Sequence, residues 1–441
     1  MMRRALIIAP SFAPVSNPPT LRVRLFARHL HRFGWDATVL SVRADRYEEA
    51  ADPDIALLLP RGLRVIRCGA LPARFTRLAG VGDVGLRAYG SMRRLLGTLC
   101  ATEPPDVIVI PGPPWYTFRL GPWAARRFGI PYVLDYIDPW VTAEPPSGPW
   151  WGKGRWHRRV ALALEPRTVI GAAHIVSVSD GTNAAVGARY PALPSDRFTA
   201  IPYGFEPGDF AALDSGVGAG SPTPHWPAES GQIHLVSVGA MLPRGYETLE
   251  ALFLAVRQLP PWLRARIRLH FVGTTYDPRS PAPMVLPVAR AAGVADAVTE
   301  HPARVPYLDA LRMLRAADGI LVLGSTEPHY MASKIFPTIA ARRPYLACVH
   351  AASAVCGVIR AAGGPVAGDA ELITYDERVR ARERVGEIAA ALERIALRPT
   401  ERCVPAWAPE LTRYSAEAMT GRLAAVLDRV SVGSAGRAVP A

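Results

Sequence analysis

Short apolar runs recur along the chain, separated by stretches long enough to hold a helix. Residues 5–9 are wholly apolar and stop at Pro10, which suits a buried parallel strand. A proline-rich loop over 10–19 follows, and then Leu21, Leu25, Phe26, Leu30 and Phe33 recur at helical spacing until Gly34 ends the pattern. Residues 35–42 supply a second strand, and similar runs lie at 107–110, 132–134, 175–178 and 198–201. Strands that alternate with helix-length segments predict a parallel sheet covered by helices on both faces.

Between 207 and 233 the composition shifts to Gly, Ser, Pro and Ala, the character of an exposed linker. The strand–helix rhythm then restarts, with strands predicted at 234–238, 268–272, 319–323 and 345–348 and helices at 246–259, 307–316 and 333–341. This divides the chain into a first Rossmann-like domain over 1–205, a linker over 206–232 and a second Rossmann-like domain over 233–410. A terminal segment over 411–430 carries an amphipathic helix from Ser415, and a small-residue tail over 431–441 is expected to be disordered. Two open α/β sheets place ligands beyond the carboxyl ends of their strands, so the loops after strands should carry the chemistry.

A chain of 441 residues exceeds what one core usually serves, and 49% apolar with 20% charged residues reads as globular. No apolar stretch approaches about 18 residues, from which a cytoplasmic protein is expected. The five cysteines are scattered and never spaced as CxxC, which argues against a zinc site or a disulfide framework. A net charge of +13 favours acidic partners such as nucleotide diphosphates or anionic lipid. Lys153 and Lys334 are the only lysines among 51 basic residues, so both invite attention. Asp52-Pro53-Asp54 matches a metal-holding Asp-x-Asp string, but its polar surroundings read as a solvated turn, and no metal or cofactor is expected. Phosphate-loop, nucleophile-elbow and His-Glu-x-x-His patterns do not occur.

Several segments taken together resemble the family 4 retaining glycosyltransferases. The opening 7–14 with 21–40 is similar to that family's first strand, loop, helix and second strand. Asp135-Tyr136-Ile137-Asp138-Pro139-Trp140 resembles a subgroup motif reading Asp-Phe-Arg-Asp-Pro-Trp, and Pro202-Tyr203-Gly204-Phe205-Glu206 resembles a Pro-Asn-Gly-Phe-Asp turn with Tyr203 in place of Asn. Val238-Gly239, Val272-Gly273, Ser333-Lys334-Ile335-Phe336 and the helix after Tyr414 follow the donor-binding half in order and spacing.

The resemblance implies an α/β protein of the GT-B fold, two Rossmann-like domains whose parallel sheets face each other across a cleft. It implies a retaining, metal-independent enzyme that moves a sugar from a nucleotide diphosphate sugar to a carbohydrate, lipid-linked or secondary-metabolite acceptor. Arg244, Ser333, Lys334, Glu327, His329, Gly239 and Gly273 fall where the donor would bind, and Asp138 and Asp135 where sugar and acceptor would react. Cations and backbone amides suit the donor site because negative charge accumulates on the departing phosphate. Two family carboxylates are missing, their places falling on His329 and Pro337, with Glu327 nearby. That departure leaves open a non-catalytic protein that binds a sugar or a partner, or a transferase with an atypical donor.

Arg22, Arg24, Arg28, His29, His31 and Arg32 ride on the first helix, and Trp150, Trp151, Lys153, Arg155, Trp156, Arg158 and Arg159 cluster later. Basic residues beside tryptophan suit a peripheral contact with an anionic membrane at its inner face. Solvated helix faces or an acceptor-lining tryptophan group account for the same residues equally well. Nucleic acid is a less attractive partner, since no recognised binding module is present.

Overall fold

A computed structural model describes residues 2–142, 152–217, 231–275, 277, 280–328, 330–363, 370–397 and 409–435. The chain divides into two compact units, one of Met1–Gly204 with Ala416–Ala441 and the other of Phe205–Ser415.

The first unit is built on seven parallel strands: β1 Arg3–Ile8, β2 Trp35–Val42, β3 Arg64–Cys68, β4 Val107–Gly112, β5 Tyr132–Tyr136, β6 His174–Ser177 and β7 Phe198–Ala200. Their order is β3-β2-β1-β4-β5-β6-β7, so chain direction across the sheet reverses between β1 and β4. The central strands are buried from end to end, which explains their unbroken apolar runs. β3 escaped the sequence reading because it is an edge strand whose Arg64 and Arg67 interrupt the apolar pattern; it pairs only with β2.

Asn17 caps the first helix, Pro18–His29, accepting from the Thr20 amide at 3.1 Å, and a single 3-10 turn, Leu30–Phe33, carries the chain to Gly34 at φ 77°. The arginines read as a basic face do not form one. Arg22 and Arg24 are each 1% exposed and His29 is 8% exposed. Arg22 turns inward to Asp135, and the terminal helix, Ala416–Ala435, packs on the first elsewhere: Thr420 Oγ1 donates to the Leu25 carbonyl at 3.5 Å, and Gly421 faces the Phe33 ring. Arg32, at the exposed end, pairs with Glu417 at 2.7 Å. Residues 431–435, read as the start of a disordered tail, continue this helix, whereas 436–441 lie outside the described residues.

The second unit carries six parallel strands: β8 Ile233–Val238, β9 Ile267–Val272, β10 Val298–His301, β11 Gly319–Leu323, β12 Tyr345–His350 and β13 Ala370–Tyr375, ordered β10-β9-β8-β11-β12-β13. β10 and β13 escaped the sequence reading. Each is an edge strand of mixed polarity, and β10 is only four residues long. The segment read as a linker opens with a helix, Pro207–Asp214, because Pro207 fits the first helical turn and Glu206 caps it, accepting from the Gly208 amide at 3.0 Å. Tyr307 donates to Asp209 at 2.9 Å and so fastens that helix to the one at Tyr307–Ala316. Residues 218–230 of the same segment lie outside the described residues.

Candidate functional site

In the second unit the topological switch point lies at the carboxyl ends of β8 and β11, because β9 lies on one side of β8 and β11 on the other. The loops leaving these two strands carry Arg244 and Glu327. They are braced to each other: the Thr326 amide donates to the Arg244 carbonyl at 3.0 Å, and Thr248 Oγ1 donates to the Gly324 carbonyl at 3.1 Å. Tyr375 reaches over from β13 to donate to the Ser325 carbonyl at 2.8 Å. Such cross-bracing fixes the backbone from which the charged side chains project.

Three strands of this sheet run into glycine: β8 into Gly239, β9 into Gly273 and β11 into Gly324. Gly239 has φ 119°, which disfavours any other residue there. At Gly324 a side chain has no room, since a Cβ would come within 2.8 Å of the Val349 backbone. Sequence reading singled out Gly239 and Gly273 but passed over Gly324, although the same signal, an apolar strand ending in glycine, marks all three.

Arg244 and Glu327 form an ion pair with about half of each side chain exposed. At that exposure solvent screens the attraction, so the pair adds little stability and an incoming anion can compete for the arginine. Lys334 differs. It stands just before the helix Ile335–Ala340, half-buried, and its ammonium has no hydrogen-bond or ion-pair partner among the described residues. Desolvation lowers its pKa to about 8, and no carboxylate among the described residues offsets this. Ser333 is half-buried beside it, its carbonyl accepting from the Phe336 amide at 3.3 Å. The helix was expected over 333–341; it begins two residues later, and Pro337 lies within it. His329 lies outside the described residues.

In the first unit the two aspartates, one inside β5 and one just after it, part company. Asp135 is 1% exposed and grips Arg22 at two points, Arg22 Nε to Oδ2 at 2.7 Å and Nη2 to Oδ1 at 2.9 Å. Arg22 Nη1 also donates to the Pro202 carbonyl at 3.2 Å, and the Tyr203 ring lies 5.6 Å from the guanidinium. Both carboxylate oxygens are therefore engaged by a buried partner, and the expectation that Asp135 faces a ligand gives way to a bracing role. β5 is buried along its whole length, which leaves Asp135 no solvent, and Arg22 from the first helix supplies the counter-charge. Sequence reading missed Arg22 because the two residues lie 113 positions apart.

Asp138, three residues on, keeps an exposed face, and its backbone carbonyl accepts from Trp115 Nε1 at 3.1 Å. Surrounding protein atoms still remove enough water from the carboxyl to raise its pKa above the usual carboxylate value. Of the two aspartates, Asp138 is the one exposed at the carboxyl end of β5. Glu165 is fully buried and serves as an internal acceptor for Tyr136, Arg189 and Tyr190 at 2.9 to 3.1 Å. Arg119 lies against the Tyr89 ring, its guanidinium carbon 5.3 Å from the centroid. Asp52, read as part of a solvated turn, is 3% exposed and caps the helix Pro53–Leu57 through the Asp54 amide at 3.2 Å. Among the described residues no group of His, Cys, Asp or Glu has the arrangement of a metal site.

Residues 19–204 match the family model described as the glycosyl transferase 4-like domain. No curated protein sequence matches the chain. Among solved structures, an α,α-trehalose-phosphate synthase (UDP-forming) from Burkholderia vietnamiensis superposes with TM-score 0.65 at 12% identity, over 99% of this chain and 100% of that one. HepE of Anabaena, solved in complex with UDP-glucose, gives TM-score 0.60 at 15% identity over 97% and 99% of the two chains. WaaG, a glycosyltransferase involved in lipopolysaccharide biosynthesis, gives 0.56 at 16% identity over 98% and 100%. The chain therefore has the GT-B fold of two parallel-sheet Rossmann-like domains, the first of which is similar to a glycosyl transferase 4-like domain.

Proposed function

We propose that this protein is a retaining, metal-independent glycosyltransferase that takes its sugar from a nucleotide diphosphate sugar. The observation that carries this reading is Lys334, a partly desolvated cation without a partner among the described residues, in the same unit as Arg244 at the β8–β11 switch point. A desolvated ammonium is unfavourable by itself and becomes favourable once phosphate supplies the counter-charge. The neighbours described with UDP-glucose and as UDP-forming make a uridine diphosphate sugar the first donor to test.

In this reading the bond between the anomeric carbon and the diphosphate oxygen breaks, and the acceptor oxygen bonds to the same carbon from the same face. The acceptor's proton passes to the departing phosphate. Lys334 and Arg244 stabilise the negative charge that grows there, Ser333, Gly239 and Gly273 let the phosphates and sugar approach the backbone, and Asp138 orients hydroxyls of sugar or acceptor. Glu327, released when phosphate takes Arg244, becomes available to donor hydroxyls. The acceptor belongs to the carbohydrate, lipid-linked or secondary-metabolite classes.

Calorimetric titration with uridine, guanosine, adenosine and thymidine diphosphates tests the donor site without an acceptor. Binding of one diphosphate that is weakened in Lys334→Ala supports the proposal. Binding of none by the folded protein would refute the nucleotide donor and favour a non-catalytic sugar-binding role or an atypical donor.

A further inference from the structure

Leu71, Phe75 and Leu78 are 61%, 59% and 88% exposed, three large apolar side chains within eight residues of one loop of the first unit. The loop follows the edge strand β3, and its backbone is held in place. The Leu71 amide donates to the Arg87 carbonyl at 3.1 Å, and Arg87 Nη1 returns a bond to the Leu71 carbonyl at 2.9 Å. Farther along, Arg77 is held by Glu48 through two bonds of 2.9 Å. A tethered backbone with apolar side chains turned outward is costly in water unless something covers it.

Arginine accompanies these apolar side chains. Arg74 lies 4.7 Å from the Phe75 ring centroid and is itself exposed. The Arg77 guanidinium lies against Gly82, and Asp83 next to it is within electrostatic reach of His157 on the helix Lys153–Val169. That helix adds Trp156, 57% exposed, and its first seven residues contain four Lys or Arg and no acid.

We propose that this face docks onto an anionic lipid bilayer, with Leu71, Phe75 and Leu78 entering the acyl boundary and Arg74 with the Trp156 helix meeting the headgroups. Cations alone would suit any polyanion. Leucine and phenylalanine at the tip of the same face gain nothing from a polyanion and do gain from an apolar phase, and this decides for lipid. The inference does not depend on the donor reading, since docking requires no nucleotide.

The test is flotation of the full chain with phosphatidylglycerol-containing vesicles and with pure phosphatidylcholine vesicles. Wild type should float with the anionic vesicles and lose most of that binding in high salt. The triple variant Leu71→Ser/Phe75→Ser/Leu78→Ser, shown to be folded by circular dichroism, should bind at least about tenfold more weakly. The pair Trp262→Ser/Leu397→Ser, which alters exposed apolar residues of the second unit, should bind as wild type does. Absence of vesicle binding by wild type, undiminished binding by the triple variant, or retention on heparin without vesicle binding would each overturn the proposal.

Discussion

Arg22 and Asp135, 113 positions apart in sequence, meet in the interior of the first unit as a two-point ion pair in which each side chain is 2% exposed. Breaking a buried pair from one side strands the other charge, at a typical cost of about 3 to 5 kcal/mol. Asp135→Asn and Arg22→Met should therefore lower the urea midpoint of the first unit substantially. If Asp135→Asn unfolds at the wild-type midpoint but abolishes turnover, Asp135 takes part in the reaction after all.

Lys334 makes the opposite prediction for stability. Its ammonium has no described partner to lose, so Lys334→Ala should leave the unfolding temperature unchanged or slightly raised without ligand. Charge-assisted hydrogen bonds to phosphate are worth about 1.5 to 3 kcal/mol, so binding of the diphosphate should weaken by roughly ten- to a hundredfold. Arg244→Ala should weaken it less, because Arg244 must first leave Glu327. Equal binding by Lys334→Ala and wild type in calorimetry would remove Lys334 from the site.

The pKa of Lys334, about 8, gives donor binding a pH dependence. An anion prefers the protonated ammonium, so binding takes up protons and affinity falls as pH rises through about 8. Calorimetry at pH 8 in two buffers of different ionisation enthalpy should show net proton uptake, and Lys334→Arg should abolish it. Proton release on binding would contradict this assignment.

Acid should destabilise the second unit through His270. This ring is buried, stacks on His234 with an Nδ1–Nε2 distance of 2.9 Å, and has its pKa lowered to about 4 by burial and then by the neighbouring imidazole. The unfolded chain takes up the proton near pH 6.5 and the folded one only near 4. Stability is therefore full above 6.5 and falls with pH between these values. Thermal unfolding followed from pH 7 to 4 should show that decline, and His270→Gln should flatten it. His174, also lowered to about 4 by burial, should act likewise in the first unit.

Turnover, once an acceptor is found, should persist in EDTA, because cationic side chains do the work that an ion would otherwise do at the phosphates. An absolute requirement for Mg²⁺ or Mn²⁺ would overturn the role given to Lys334 and Arg244.

Local pattern was sufficient wherever a segment's surroundings are uniform. β1, β4, β8 and β11 are buried along most of their length, so their apolar runs announced them, and the glycines after β8 and β9 marked the turns that end those strands. Edge strands β3, β10 and β13 have mixed surroundings and mixed sequences, and only pairing with a neighbour reveals them. The first helix makes the same point for charge. Its arginines look like a solvated face in sequence, yet Arg22 and Arg24 are buried, Asp135 answers one of them, and a helix from the far end of the chain packs on the same helix. Sequence also placed Lys334 at the start of a helix and Arg244 after a strand, since both depend on neighbours close in the chain. That Arg244 is held by Glu327 while Lys334 has no described partner was decided by contacts between distant segments, and those contacts set the energy of each charge.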